Sequence, residues 1–229
     1  MLTLYEFSVS PFCEKIRRAL RVKGLAYRAE KVPLLATVGW YRRRVNPARK
    51  VPVLMHDGTK IADSSAIVRY LDATFDGPKL VPSDPSARAL CLLLEDWADE
   101  SLYFYQKLFK FKLGHESGEW VSRFSTFDSR AGRALLSVVL VGRQEKQLDA
   151  QGLGRKPIAD VLEDVDVLVA SVEALVASKP WLVGDALSIA DIAVFAQLGA
   201  LAASSEGARI IAQHPGAKAW LDRVDRATS

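Results

Sequence analysis

The chain has 229 residues, 49% of them hydrophobic and 25% charged, with a formal net charge of +4. That balance belongs to a globular protein with a sizeable core and excludes a disordered or collagen-like chain. The small charge excess, without a long basic stripe, gives no reason to expect nucleic acid, and the longest apolar run, near Leu135 to Val141, falls far short of the roughly 20 residues that span a bilayer.

Leu2 to Phe7 reads as a buried strand. Pro11 sits where a helix can begin, because a proline at the first helical position gives up no needed hydrogen bond. Phe12, Ile16, Ala19 and Leu20 recur at helical spacing, with Lys15, Arg17, Arg18 and Arg21 on the other faces, and Gly24 stops the helix. Ala26 to Val32 reads as a second strand. A short basic helical segment carrying Arg42-Arg43-Arg44, itself read as a solvated face, ends near Asn46-Pro47. Val51 to Met55 is a third strand. Asp57-Gly58 is a hairpin turn signal, and Lys60-Ile61-Ala62 is the returning strand. Asp63 and Ser64 can cap a helix with Ala66, Ile67, Tyr70 and Leu71 on one face. The expected order is therefore βαβ, a helix, a hairpin and a final helix.

Prolines, a glycine and aspartates fill residues 77–86, the pattern of a linker between residues 1–76 and 87–229. Beyond it the pattern is helical throughout. Helices are expected over about 87–112, 118–150 (with a break near Asp128), 156–178, 188–203 and 214–227. Ser188 and Asp191 have the spacing of a capping box, with the shorter aspartate in place of glutamate.

Three segments carry chemistry. Ser10-Pro11-Phe12-Cys13 lies between a strand and a helix, where unpaired amides and the helix dipole favour an anion. Ser10 is equally a plain N-cap. In Lys50-Val51-Pro52-Val53, a proline inside a strand asks for an edge or a special bond, and a cis bond would leave Val51 free to pair with an extended peptide. In Asp63-Ser64-Ser65-Ala66-Ile67, Ser64 with the helix start suits a carboxylate and Asp63 suits an ammonium, the two charges of an amino acid. The ordinary helix cap is the competing reading there. Cys13 and Cys91 form no CxxC pair, so a reducing compartment and a cytoplasmic location are expected, and no signal peptide is visible. Cys91 reads as core, while a thiol at the start of a helix, such as Cys13, is expected to have a depressed pKa.

The order and spacing of these segments resemble the thioredoxin-like glutathione-binding domain of glutathione transferases. Ser10-Pro11-Phe12-Cys13 is similar to the Cys-Pro-Phe-Cys turn of glutaredoxins and omega-type transferases, with serine in the first place, and to the Ser-x-x-Cys turn of serine-type enzymes. Asn46-Pro47-Ala48-Arg49-Lys50-Val51-Pro52-Val53-Leu54 resembles the family's Asn-Pro-x-Gly-Lys-Val-Pro-x-Leu, with Arg49 in place of glycine. Asp63-Ser64-Ser65-Ala66-Ile67 resembles Glu/Asp-Ser-x-Ala-Ile, and Trp181 to Asp191 resembles the signature of the helical domain. Gln151-Gly152-Leu153-Gly154-Arg155 resembles metaxin-like proteins.

The resemblance implies an α/β thioredoxin-like domain followed by an all-α domain. It implies glutathione as co-substrate, no metal, a small electrophile as second substrate, a homodimer, and neither nucleic acid nor membrane as partner. Ser10 and Cys13 become the candidate catalytic residues. Phe12, Lys50, Val51, Pro52, Asp63 and Ser64 become the candidate glutathione-binding residues, with Lys50 or the 42–44 arginines at the glycyl carboxylate. The aromatic stretch Tyr103, Phe104, Tyr105, Phe109, Phe111 and Trp120 would line the electrophile pocket or serve as helix core.

A free thiol has a pKa of about 8.5, and lowering it by about two units takes roughly 2.7 kcal/mol. A hydrogen bond from Ser10 of about 1.5–3 kcal/mol, with a helix-dipole contribution of about 0.3–1 kcal/mol, supplies that much. Two other readings stand beside conjugation: a non-catalytic binding or assembly module, and a glutathione-dependent thiol reductase or isomerase acting through Cys13.

Overall fold

The computed structural model describes residues 1–33, 36–37, 39–113 and 130–229, with side chains described from residue 141 onward in the last stretch. Strand β1 (Leu2–Glu6) leads into α1 (Pro11–Val22), β2 (Tyr27–Lys31) and the short α2 (Trp40–Arg44). The hairpin β3 (Val53–His56) and β4 (Thr59–Ala62) follows, then α3 (Ser64–Thr74). The sheet order is β2-β1-β3-β4, with β1 parallel to β2 and antiparallel to β3. The alternating burial of Leu2, Leu4 and Glu6 is what a strand covered on one face requires. This is the expected βαβ-α-ββ-α order.

The described residues that follow form helices: α4 (Pro85–Trp97), a π turn (Ala98–Leu102), α5 (Tyr103–Leu108), a second π turn (Phe109–Leu113), α6 (Arg130–Gln151), α7 (Ile158–Leu175), α8 (Ile189–Ala202), α9 (Ser205–Ala212) and α10 (Pro215–Thr228). The single helix expected over 87–112 is thus one rod relaxed twice into π geometry. The break expected near Asp128 lies outside the described residues. Helix α9 was not anticipated. Its signal is short but present, since Ser204 caps it by accepting from Gly207 N at 3.2 Å, and Ile210 and Ile211 face inward.

No described helix is long and apolar enough to cross a membrane. The Gly-Leu-Gly at 152–154 has a packing explanation. A Cβ at Gly154 would stand 2.3 Å from the Asp149 carboxylate and 2.7 Å from its backbone nitrogen.

One hydrophobic cluster runs through both parts of the chain, from Leu4, Ile16 and Leu71 to Val165, Ile192 and Trp220. The connecting stretch is held firmly to both sides. Leu80 is fully buried and its carbonyl accepts from Ile189 N at 2.8 Å, while the Asp72 carboxylate accepts from Leu80 N and Val81 N. The predicted capping box is observed, with the Asp191 carboxylate accepting from Ser188 N at 3.0 Å and from the Ser188 hydroxyl at 2.9 Å. It also accepts from Leu182 N at 2.8 Å and from Trp220 Nε1 at 3.1 Å.

Candidate functional site at the end of the sheet

Register decides where the three chemical segments meet. Tyr5 pairs with Val53, and Val53 pairs with Ala62. The chain leaving β1, the chain arriving at β3 and the chain leaving β4 therefore share one end of the sheet. Ser10 to Cys13, Lys50 to Pro52 and Asp63 to Ser65 lie just beyond that end. A second tie brings the helix starts together, for Lys15 Nζ on α1 lies 3.3 Å from the Ser65 hydroxyl on α3.

Ser10 is the N-cap of α1, extended at φ −86° and ψ 123°, and its hydroxyl accepts a long 3.4 Å bond from Cys13 N. The side chain is half-buried, and its hydroxyl proton is not committed by that bond. Cys13 differs from expectation. Its sulfur is fully buried, accepts from Phe7 N at 3.4 Å, and burial pushes the thiol up to about 12. Desolvation outweighs the bonds that the helix start offers, so the expected depressed thiol is not what the structure contains. Phe12 is half-buried and turns toward the helical part, its ring 5.0 Å from that of Tyr103.

The Val51–Pro52 peptide bond is cis. Pro52 is buried and Val51 half-buried. The preceding turn is built by Asn46. Its side chain accepts from Ala48 N at 3.0 Å and donates to the Lys50 carbonyl at 2.9 Å, where the Tyr41 hydroxyl also donates at 2.8 Å. The Lys50 side chain and Arg42, Arg43 and Arg44 are exposed.

Arg49 occupies the left-handed region at φ 61°. That explains the glycine usual at this place, since a side chain there costs about 1–2 kcal/mol and glycine returns part of it as entropy. Arg49→Gly is expected to raise Tm by about 1–3 °C. A thermal melt showing a lower Tm would contradict this account of the turn.

Asp63 caps α3, accepting from Ala66 N at 2.9 Å, and its backbone sits at φ 83° and ψ 130°. That conformation costs an L-residue on the order of 1–3 kcal/mol and is found where a site demands it. Asp63 is exposed and Ser64, the first residue of α3, is buried. The aromatic stretch divides. Tyr103 meets Phe12, Phe109 is fully buried core, and the Tyr105 hydroxyl donates to Asp164 at 2.9 Å on α7. Trp120 lies outside the described residues.

Pattern reading missed a buried charge cluster behind the site. Lys15 is 1% exposed and lies 2.6 Å from Asp99 Oδ2 and 2.7 Å from Glu95 Oε1. Burial pushes the Asp99 carboxyl up, against the Lys15 ammonium that pulls it down. Arg18, 8% exposed, donates to Asp225 at 2.7 Å and to the Thr228 hydroxyl at 2.5 Å. Both cations read as polar-face residues in sequence. The acids that cover them come from helices far along the chain.

The model for the glutathione S-transferase N-terminal domain matches residues 4–79, and that for the C-terminal domain matches residues 146–223. A probable glutathione S-transferase of Nicotiana tabacum is 36% identical over 120 residues, which is 49% of this chain and 50% of that protein, so the chain spans about half the length of that curated relative. Protein LigF of a Sphingobium species is 27% identical over 98% of this chain and 89% of its own length. Its structure, described as a beta-etherase, superposes with a TM-score of 0.71 at 26% identity, covering 98% of this chain and 94% of LigF. A glutathione S-transferase structure from Rhodospirillum rubrum has a TM-score of 0.72 at 24% identity, covering 98% and 87% of the two chains, which speaks to fold. With both halves matched in order around the junction built above, the chain belongs to the glutathione transferase superfamily.

Proposed function

We propose that the protein transfers the thiolate of glutathione to a small electrophile, with Ser10 donating its hydroxyl hydrogen bond to the sulfur. The observation that carries this reading is the contrast within one turn. Ser10 Oγ stands half-buried at the open start of α1, while Cys13 Sγ is sealed behind it with its thiol pushed up to about 12. A bound thiol at the helix start meets a hydroxyl donor and the positive end of the dipole, both of which favour its anion.

The other roles follow the same end of the sheet. The Val51 backbone pairs with the cysteinyl part of glutathione, beside Pro52 and Phe12. Asp63 and Ser64 take the ammonium and carboxylate of the γ-glutamyl end, and Lys50 takes the glycyl carboxylate. The burial of Cys13 speaks against the thiol reductase reading. Binding of glutathione by calorimetry, with thioether formation from 1-chloro-2,4-dinitrobenzene, tests the proposal. A protein that fails to bind at millimolar glutathione would be a non-catalytic module.

Full-length similarity to LigF favours a second reaction of the same kind, thiolate displacement at an ether carbon with an oxygen anion leaving. Release of a phenol from an aryl ether on addition of glutathione checks it. The absence of such release would leave conjugation as the sole activity.

We also propose a homodimer, in the cytoplasm. Leu90 and Leu93 on α4 are 37% and 68% exposed, and Trp97 continues the same face one turn on. Such a stripe is a contact surface. Leu93→Glu is expected to halve the mass measured by light scattering. A wild-type protein already monomeric at tens of micromolar would remove the idea.

A further inference from the structure

Lys107 is a buried cation that the proposed reaction leaves unused. It lies on α5, is 2% exposed, and donates to Gln147 Oε1 at 2.5 Å. Its Nζ stands 5.4 Å from the centre of the Tyr103 ring and 5.8 Å from that of Phe104. Among the described residues no carboxylate lies within ion-pairing distance of it. Three other buried cations among the described residues are treated differently. Lys15 has Glu95 and Asp99, Arg18 has Glu14 and Asp225, and Lys23 has Asp72. A buried ammonium without a counter-charge is costly by several kcal/mol. The charge that bears on Lys107 is the like charge of Arg143, and burial together with Arg143 brings the ammonium down to about 8.

Position gives this deficit a meaning. Asp99, Tyr103 and Lys107 recur every four residues along one rod, so they share a face. Asp99 meets Lys15 and Ser65, and Tyr103 meets Phe12 of the thiol turn. Lys107 is one turn further, about 5–6 Å along the axis, on the side away from the glutathione-binding segments. Tyr103 and Phe104, half-buried and 5.3 Å apart, form an aromatic wall between the turn and the ammonium.

We propose that Lys107 recognises an anionic group on the second substrate, which is an aromatic carboxylate stacked on Tyr103 and Phe104. The acid supplies the counter-charge that the described residues do not, and the rings orient the aromatic body toward the sulfur. This deepens the transferase reading and rests on it for the reaction, while the binding itself stands independently of turnover.

The test uses the full chain with 3,5-dinitrobenzoate and its uncharged counterpart 1,3-dinitrobenzene, titrated calorimetrically in the presence of glutathione. The benzoate is expected to bind at least about tenfold more tightly, the scale of one charge-assisted hydrogen bond. Lys107→Met, which matches the side chain in size, is expected to abolish that preference, and Lys107→Arg to keep it. Lys107→Gln replaces the methionine variant if its Tm falls. Equal binding of the two probes by the wild type, or a preference that survives loss of the ammonium, overturns the inference. Failure of the transferase reading shows separately, as no glutathione-dependent turnover of 1-chloro-2,4-dinitrobenzene whatever the benzoate affinity.

Discussion

Ser10→Ala is expected to lower kcat/KM for conjugation of 1-chloro-2,4-dinitrobenzene by about 10–150-fold at pH 7, the value of one hydrogen bond to a charged acceptor. The loss should fall on kcat more than on the KM for glutathione. The Val51 backbone, Asp63 and Ser64 would still hold the tripeptide, whereas the hydroxyl acts on the charge at sulfur. The pH profile separates this from a merely structural role. Removing a donor to the thiolate raises the pKa of the bound thiol, so the acid limb of the profile moves to higher pH. The defect is therefore largest below pH 7 and shrinks toward pH 9, where even a free thiol is ionised. Cys13→Ala, which trims a buried sulfur that accepts from Phe7 N, is expected to retain most of the turnover. The reverse pattern, activity lost with Cys13 and kept without Ser10, would move the chemistry to the buried thiol.

Asp191→Ala is expected to be the most destabilising of these substitutions, by about 3–5 kcal/mol, or roughly 10 °C in Tm. The carboxylate is fully buried, and burial pushes it up while four donors hold it down. Its removal strands the amides of Leu182 and Ser188 and the indole of Trp220, itself fully buried. Each stranded donor costs about 1–3 kcal/mol, and the small residue leaves a void beside Trp220. Asp191→Asn keeps the shape and one acceptor oxygen, and should cost about half as much. A melt of the alanine variant within 3 °C of wild type would show that this aspartate only caps a helix. The sequence spacing showed the cap; the bond to Leu182 comes from the loop that leads into α8, and the bond to Trp220 appears only when α10 is laid against α8.

What could be read in advance follows the range of each interaction. Capping at Ser10, Asp63 and Ser188, the stop at Gly24 and the hairpin at Asp57-Gly58 are made within a few residues, so the pattern itself contains them. The alternation of strand and helix before residue 77, and helix alone after 86, was legible for the same reason. Helix α9 is not legible in the pattern because two inward isoleucines in eight residues make too short a period to stand out.

The turn Ser10-Pro11-Phe12-Cys13 shows where local reading stops. Sequence alone placed it at the start of a helix, and that placement argues equally for two anions, one at each end of the motif. Only the tertiary structure separates them, because solvation is a property of what lies on the far side of the helix. Cys13 faces the core and loses water, while Ser10 stays at the edge. Lys15 and Arg18 make the same point from the other direction. Their helix position marked them as polar, and although Glu14 on the same helix also pairs with Arg18, it is the carboxylates of Glu95, Asp99 and Asp225, arriving from residues more than seventy positions away, that pair with them in the buried state. Charge in a sequence states what a side chain needs, and the fold decides whether water, a carboxylate or, as proposed for Lys107, a ligand provides it.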